Sequence, residues 1–299
     1  MTCTNPFKLK RPEGGVMELP CGHCLACKIA KSREWASRII HEMVYYERTV
    51  FITLTFSEDQ LPNPPSIDKR TLQLFLKRLR RSYPDRRIRY FACGEYGDGK
   101  GVREINPHYH AILFGIGRSD HEREIIRQAW SSPDSGIEYG RIHTGTVTFQ
   151  SARYVARYIE KKYNGTKEEQ EYTSKGLRTP FALMSKGLGK QFAIDNTEYL
   201  EQTLGFTVQG AKCGLPRYYR TLHVRDKDTK IRKPVLDVDK NDFIAKAIEK
   251  GRDLLAHYEE RGKIDRDDFE WSLSEAKRKA REQAELTLNA KTNLRQKKL

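Results

Sequence analysis

The stretch "NPHYHAILFG", residues 106–115, sets two histidines two positions apart at the entrance to an apolar run. Side chains alternate across a β-strand, so His108 and His110 point to one face and Tyr109 to the other. The two imidazoles then sit ~6–7 Å apart along the backbone, within reach of one metal ion. The plain alternative is a polar hairpin entry with exposed histidines. A second stretch, "VFITLTF" at 50–56, is β-branched and aromatic and reads as another strand. Its Val50, Ile52, Leu54 and Phe56 form a core face, while Phe51, Thr53 and Thr55 face the other way.

Working outward, "DKRTLQLFLKRLRRSY" places Leu72, Phe75, Leu76 and Leu79 at i, i+3, i+4 and i+7, which predicts an amphipathic helix. "RIRYFACGEYG" (87–97) reads as a strand joined by a hairpin loop to "HYHAILFGI". "SDHEREIIRQAW" is helical, with Ser119 or Asp120 as its N-cap. "IEYGRIHTGTVTF" holds a fourth strand, and "SARYVARYIEKKY" (151–163) a further helix. The order β-α-β-β-α-β is the split βαβ, ferredoxin- or RRM-like arrangement of an α+β fold. Its first and third strands should pair at the centre of an antiparallel sheet, with two helices on one face. The other face should stay open for a site lined by the threonines and both histidines.

Four regions are expected: a Cys-rich segment and helix over 1–48, the core at 49–165, a loop-rich extension at 166–238, and a charged helical region at 239–299. The chain has 299 residues, 37% of them hydrophobic and 32% charged. Its formal charge of +15 points to a polyanionic partner. Residues 241–299 carry 14 basic against 12 acidic side chains, leaving 41 against 28 in the first 240. The excess therefore lies with the strands and helices of the core and not in a basic tail. No run approaches the ~18 apolar residues of a membrane span, and the opening residues lack the apolar stretch of a secretion signal. A cytoplasmic protein is expected, in which six cysteines do not form a disulfide framework.

Tyr154 and Tyr158 lie one turn apart on one helical face, with Lys161 three residues beyond and Lys162 four. The ordinary reading is core packing with Val155 and Ile159. It leaves unexplained the cations crowding the tyrosine face, which would lower the cost of a phenolate nucleophile.

The series "FITLTF", "HYH" and "YVARYIEKK" resembles the three motifs of two-tyrosine HUH endonucleases. Adding "PCGHCLACK", "CGEYG", "LMSKG" and "PRYY", the chain from about residue 3 to about 225 resembles the replication initiation proteins of the Microviridae, nearest the gokushovirus branch. The resemblance implies that His108 and His110 are metal ligands, that Tyr154 and Tyr158 are the nucleophiles, and that Lys161 assists them. Glu95, ending the strand beside the histidines, would complete the metal site; a hairpin ion pair to Lys100 or Arg103 is its alternative. Ligand softness alone favours Zn or Fe on imidazoles; the resemblance implies Mg or Mn. It further implies nicking of single-stranded origin DNA through a 5'-phosphotyrosine, religation to unit-length circles, host helicase and polymerase as partners, and action in the cytoplasm of a bacterial host.

Residues 69–89 carry nine Lys and Arg against one internal acid, Asp85. Arg70, Lys77, Arg78 and Arg81 are thus expected phosphate contacts, with Arg153, Arg157 and Lys162 on the tyrosine helix. Arg217 and Tyr218 in "PRYYR" could hold and stack an unpaired base. Cys21, Cys24 and Cys27, spaced C-x2-C-x2-C, suggest a structural zinc with Cys3 as fourth ligand and His23 in reserve. Two rival readings remain: an HUH transposase or relaxase, and a non-catalytic RRM-like nucleic-acid-binding protein.

Overall fold

The computed structural model describes residues 3–10, 16–97, 105–157, 172–208, 210–225, 232–237 and 269–296, with isolated positions at 170, 249, 252–254, 256, 257 and 260. Residues 31–235 form one compact unit; residues 1–30 and 236–299 form a second. The chain opens with strands β1 (Phe7–Lys10) and β2 (Val16–Leu19), which pair antiparallel, and then helix α1 (Leu25–Met43). The hairpin falls in a segment expected to be loop.

The larger unit is built on β3 (Thr49–Thr55), α2 (Lys69–Arg81), β4 (Arg89–Tyr96), β5 (Pro107–Phe114), α3 (Asp120–Ala129), β6 (Ile142–Gly145), α4 (Phe149–Arg157) and β7 (Phe181–Met184). The strands form one sheet in the order β6-β3-β5-β4-β7, every pair antiparallel. β3 and β5 pair at its centre, as the alternation requires. The edge strand β7 comes from the stretch expected to be a loop-rich extension.

Local chemistry sets the helix ends. Asp68 accepts a 3.0 Å hydrogen bond from the Thr71 N–H at the start of α2, a cap typically worth ~1 kcal/mol. Ser119 and Glu122 exchange side-chain and backbone bonds at the start of α3, a capping box. The four apolar positions of α2 are all buried, packed with Val50, Ile52, Leu54, Ala111 and Leu113 from the sheet. Trp130, ending α3, is fully buried in the same layer and its indole N–H donates to the Thr55 carbonyl at 2.9 Å.

The second face of the sheet is not open. Phe91, Cys93, Ile112 and Phe114 pack there against Ala36 and Ile39 of α1 and Ala152, Val155 and Ala156 of α4. The expectation of helices on one face and a bare site on the other is therefore corrected. The physical reason lies in β5, all eight of whose residues are buried. An apolar run on both faces of a strand needs cover on both, and "AILF" supplies one.

Beyond β7 follow α5 (Lys190–Asp195), α6 (Thr197–Thr203), the β8–β9 hairpin (Gly205–Val208, Ala211–Gly214), α7 (Arg217–Arg220) and the β10–β11 hairpin (His223–Arg225, Arg232–Pro234). In the smaller unit, α8 (Phe269–Gln296) carries Arg281, which pairs with Glu18 of β2. The helix expected near 241–260 lies mostly outside the described residues. No helix among the described residues is long and apolar enough to cross a membrane.

Candidate active site and metal centre

Sheet register brings the site together. Thr55 and Glu95 flank His108 on neighbouring strands, and Thr53 and Cys93 flank His110. Because alternate residues share a face, Glu95, His108, His110 and Thr53 point the same way. All three potential ligands are buried, with Glu95 at 2%, His110 at 5% and His108 at 9% exposure. Tyr109, between the histidines, points into the opposite layer, where its hydroxyl donates to the Asp68 carbonyl at 3.0 Å and burial pushes its pKa up.

The Glu95 carboxylate oxygen Oε1 lies 3.0 Å from His108 Nε2 and 3.3 Å from His110 Nε2. One ligand atom from each residue falls within 4.8 Å of the others. The opposite ring nitrogens are also engaged. His108 Nδ1 lies 2.7 Å from the Asn106 carbonyl, which only accepts, so this nitrogen carries the proton. In neutral His108 the lone pair is then on Nε2, facing a carboxylate oxygen that also only accepts. Two lone pairs at 3.0 Å require a cation between them, a proton or a metal ion. His110 Nδ1 is held by Thr53 Oγ1 at 2.9 Å. Such outer contacts fix ring orientation in metal sites. The trio fits a divalent ion.

Tyr154 on α4 completes the constellation. Its hydroxyl lies 3.4 Å from His110 Nε2, and its side of the helix is open, with the residue 42% exposed. The neighbouring α4 residues Ala152, Val155 and Ala156 hold the helix on the sheet. Phe51 stacks on the His110 ring at 5.6 Å and meets Tyr154 edge-on at 6.3 Å. Tyr158, Lys161 and Lys162 lie outside the described residues.

The expected DNA contacts divide by face. Arg70, Lys77 and Arg81 are exposed, but α2 covers the sheet face turned away from the histidines. Arg78 differs again: its guanidinium donates to the Ala129 carbonyl at 2.8 Å and links α2 to α3. Arg153 and Arg157 share α4 with Tyr154, Arg157 being exposed. Arg217 is exposed on α7, while one face of the Tyr218 ring is taken by the Arg38 guanidinium, 3.9 Å away, which also lies 4.0 Å over Trp35. The four cysteines expected at a zinc site also converge, within 4.8 Å.

Thr53 and the Asn106 carbonyl are the contributors that sequence reading passed over. The hydroxyl alternation of "FITLTF" signals the first; nothing in the residue types signals a backbone carbonyl.

A family model described as replication-associated protein ORF2 matches residues 49–163, from the threonine strand through the tyrosine helix. The replication-associated protein VP4 of Bdellovibrio phage phiMH2K is 30% identical over 238 residues, 71% of this chain and 69% of that protein. The replication-associated protein ORF2 of Spiroplasma virus 4 is 31% identical over 67% of this chain and 66% of its own length. The replication-associated protein ORF4 of Chlamydia phage 1 is 27% identical over 68% of this chain and 53% of its own. No solved structure matches significantly. These likenesses run through the same strands and helix that assemble the site, and the chain belongs to the replication-associated proteins of the Microviridae, the replication initiators of single-stranded DNA phages.

Proposed function

We propose that the chain initiates rolling-circle replication as a single-strand nickase and ligase with a tyrosine nucleophile. The observation that carries this reading is the Tyr154 hydroxyl 3.4 Å from the Nε2 of His110, itself one of three convergent ligand atoms. The scaffold is read as a ferredoxin-like core over residues 49–165, extended by β7. His108, His110 and Glu95 would hold the working ion, Mg or Mn given the hard phosphate oxygens of the substrate. Bound there, such an ion supplies Lewis-acid polarisation of the scissile phosphate.

The chain's own residues do the rest. The Tyr154 oxygen attacks phosphorus, the bond to the 3'-oxygen breaks, and the leaving oxygen takes a proton to become a 3'-hydroxyl. The 5'-phosphate stays on the tyrosine, so the ester keeps the energy of the broken bond and rejoining needs no nucleotide. The free 3'-hydroxyl primes a host polymerase behind a host helicase, in the cytoplasm of the bacterial host. Tyr158, one helical turn on in sequence, cuts the regenerated origin while Tyr154 still holds DNA, and Lys161 favours the phenolate. Arg153 and Arg157, on the tyrosine helix, are read as contacts to the bound strand.

Origin-containing single-stranded DNA with Mn or Mg tests this. The expected product is a detergent-stable covalent complex. Tyr154→Phe and Tyr158→Phe should each retain partial single-turnover nicking but release no circles, and the double variant should give no adduct. His108→Ala and His110→Ala should each lower cleavage by more than about 100-fold with DNA binding largely kept, since loss of a ligand exceeds the effect of losing its outer-shell partner. An adduct from the double tyrosine variant, or metal-independent cleavage, overturns the reading.

A further inference from the structure

The smaller unit holds its own cluster. Cys3 precedes β1, Cys21 follows β2, and Cys24 and Cys27 bracket the start of α1. All four β1 residues are exposed, Phe7 by 62% and Leu9 by 50%. The hairpin thus brings little apolar burial of its own, and an isolated two-stranded hairpin is marginal in water. Small elements that lack a core are usually held by a cross-link or a metal.

The sulfur positions separate those two options. Cys3 and Cys24 Sγ are 3.8 Å apart, and Cys21 and Cys27 Sγ are 4.0 Å apart. Both spacings are nearly twice the ~2.05 Å of a disulfide. A tetrahedron of Zn–S bonds of ~2.3 Å instead sets sulfurs ~3.8 Å apart along each edge. All four sulfurs lie within 4.8 Å of one another. The backbone supports charge on them: the Cys21 N–H donates to Cys3 Sγ and the Cys24 N–H to Cys21 Sγ, each at 3.3 Å. Gly22, at φ +77°, gives the chain between Cys21 and Cys24 the left-handed turn that glycine adopts without strain. His23 is exposed and is not part of the sulfur group.

We infer that Cys3, Cys21, Cys24 and Cys27 form a closed structural zinc site that ties the β1–β2 hairpin to the start of α1. Four soft thiolates select zinc over the hard cations suited to a carboxylate-bearing site. Four protein ligands fill the tetrahedron and leave no position for water or substrate, so the role is structural. The inference stands apart from the nickase reading and uses none of its residues.

The test uses the full chain with His110→Ala, purified without chelator, so that the histidine site does not add to the count. Elemental analysis and native mass should give about one zinc per chain, consistent with one set of four ligands. Cobalt exchanged into the same protein should show the visible absorption of a tetrahedral thiolate complex. The pair Cys21→Ser and Cys24→Ser should abolish both signals, whereas Cys213→Ser should keep them. A folded chain with neither zinc nor the cobalt spectrum overturns the inference, as does zinc that survives the double substitution. If the double variant fails to fold, the cobalt spectrum of the His110→Ala chain decides alone.

Discussion

Thr53 shows how a residue with no chemistry of its own can tune a metal site. Its hydroxyl meets His110 Nδ1 at 2.9 Å, opposite the nitrogen that faces Glu95. His108 has a backbone carbonyl in the equivalent place, which no substitution removes. Thr53→Val keeps the shape and deletes the hydroxyl. The expected result is about 10- to 100-fold weaker Mn affinity, as for other outer-shell partners, with little change in stability. Cleavage measured against Mn concentration reads it. An unchanged Mn dependence means that Phe51 stacking alone orients His110.

Among the elements, β4 and β7 depend on one glycine. A Cβ on Gly94 would lie 2.9 Å from two Phe181 ring carbons and 3.1 Å from Tyr109 Cδ1. Gly94 lies between Cys93 and Glu95, beside the site, and opposite Phe181 across the β4–β7 pair. Gly94→Ala should therefore cost about 1–3 kcal/mol, the usual penalty for overpacking. Urea unfolding measures it, and Phe181→Leu in the same chain should restore part of the loss. Equal stability of Gly94→Ala and the parent would show that β7 yields without cost. On the opposite layer, α2 is equally specialised: its apolar stripe packs on the sheet and most of its cations point to solvent. Those cations lie across the sheet from Tyr154, so α4 supplies the nearer positive charge.

At the scale of the larger unit, His41 ties α1 to the segment beyond β7. Its Nδ1 lies 2.8 Å from the Tyr219 hydroxyl, and its ring stacks on Phe192 at 3.8 Å and meets Phe206 edge-on. Burial holds its pKa down at about 4, against 6.5 for the free side chain. A depressed histidine pKa favours the fold while the ring is neutral in both states. The contribution is complete above about pH 6.5 and is lost progressively as pH falls towards 4, reaching about 3 kcal/mol. Urea unfolding at pH 7, 5.5 and 4.5 should show this fall. His41→Phe should flatten that part of the profile, whatever its stability at pH 7. An identical slope in both proteins assigns the acid sensitivity elsewhere, for instance to the excess of positive charge.

The sequence alone determined the strand faces, the amphipathic stripes of α2 and α3 and the membership of the histidine site. Each follows from a period of two or 3.6 residues, which is local and independent of what packs on top. Hence Val50, Ile52 and Leu54 on one side and Thr53, His108 and His110 on the other were legible from two short quotations, and Glu95 from its place on the hairpin. The family motifs likewise lie in contiguous stretches. Tertiary structure decided the rest, because periodicity names a face without naming its cover. It laid α1 and α4 over the histidine face, recruited Phe181–Met184 as a fifth strand, turned the basic side of α2 away from Tyr154, and spent Arg78 on a helix-to-helix contact. It also brought Cys3 to the C-x2-C-x2-C series, a convergence set by the hairpin's fold between residues 3 and 21 and not by spacing.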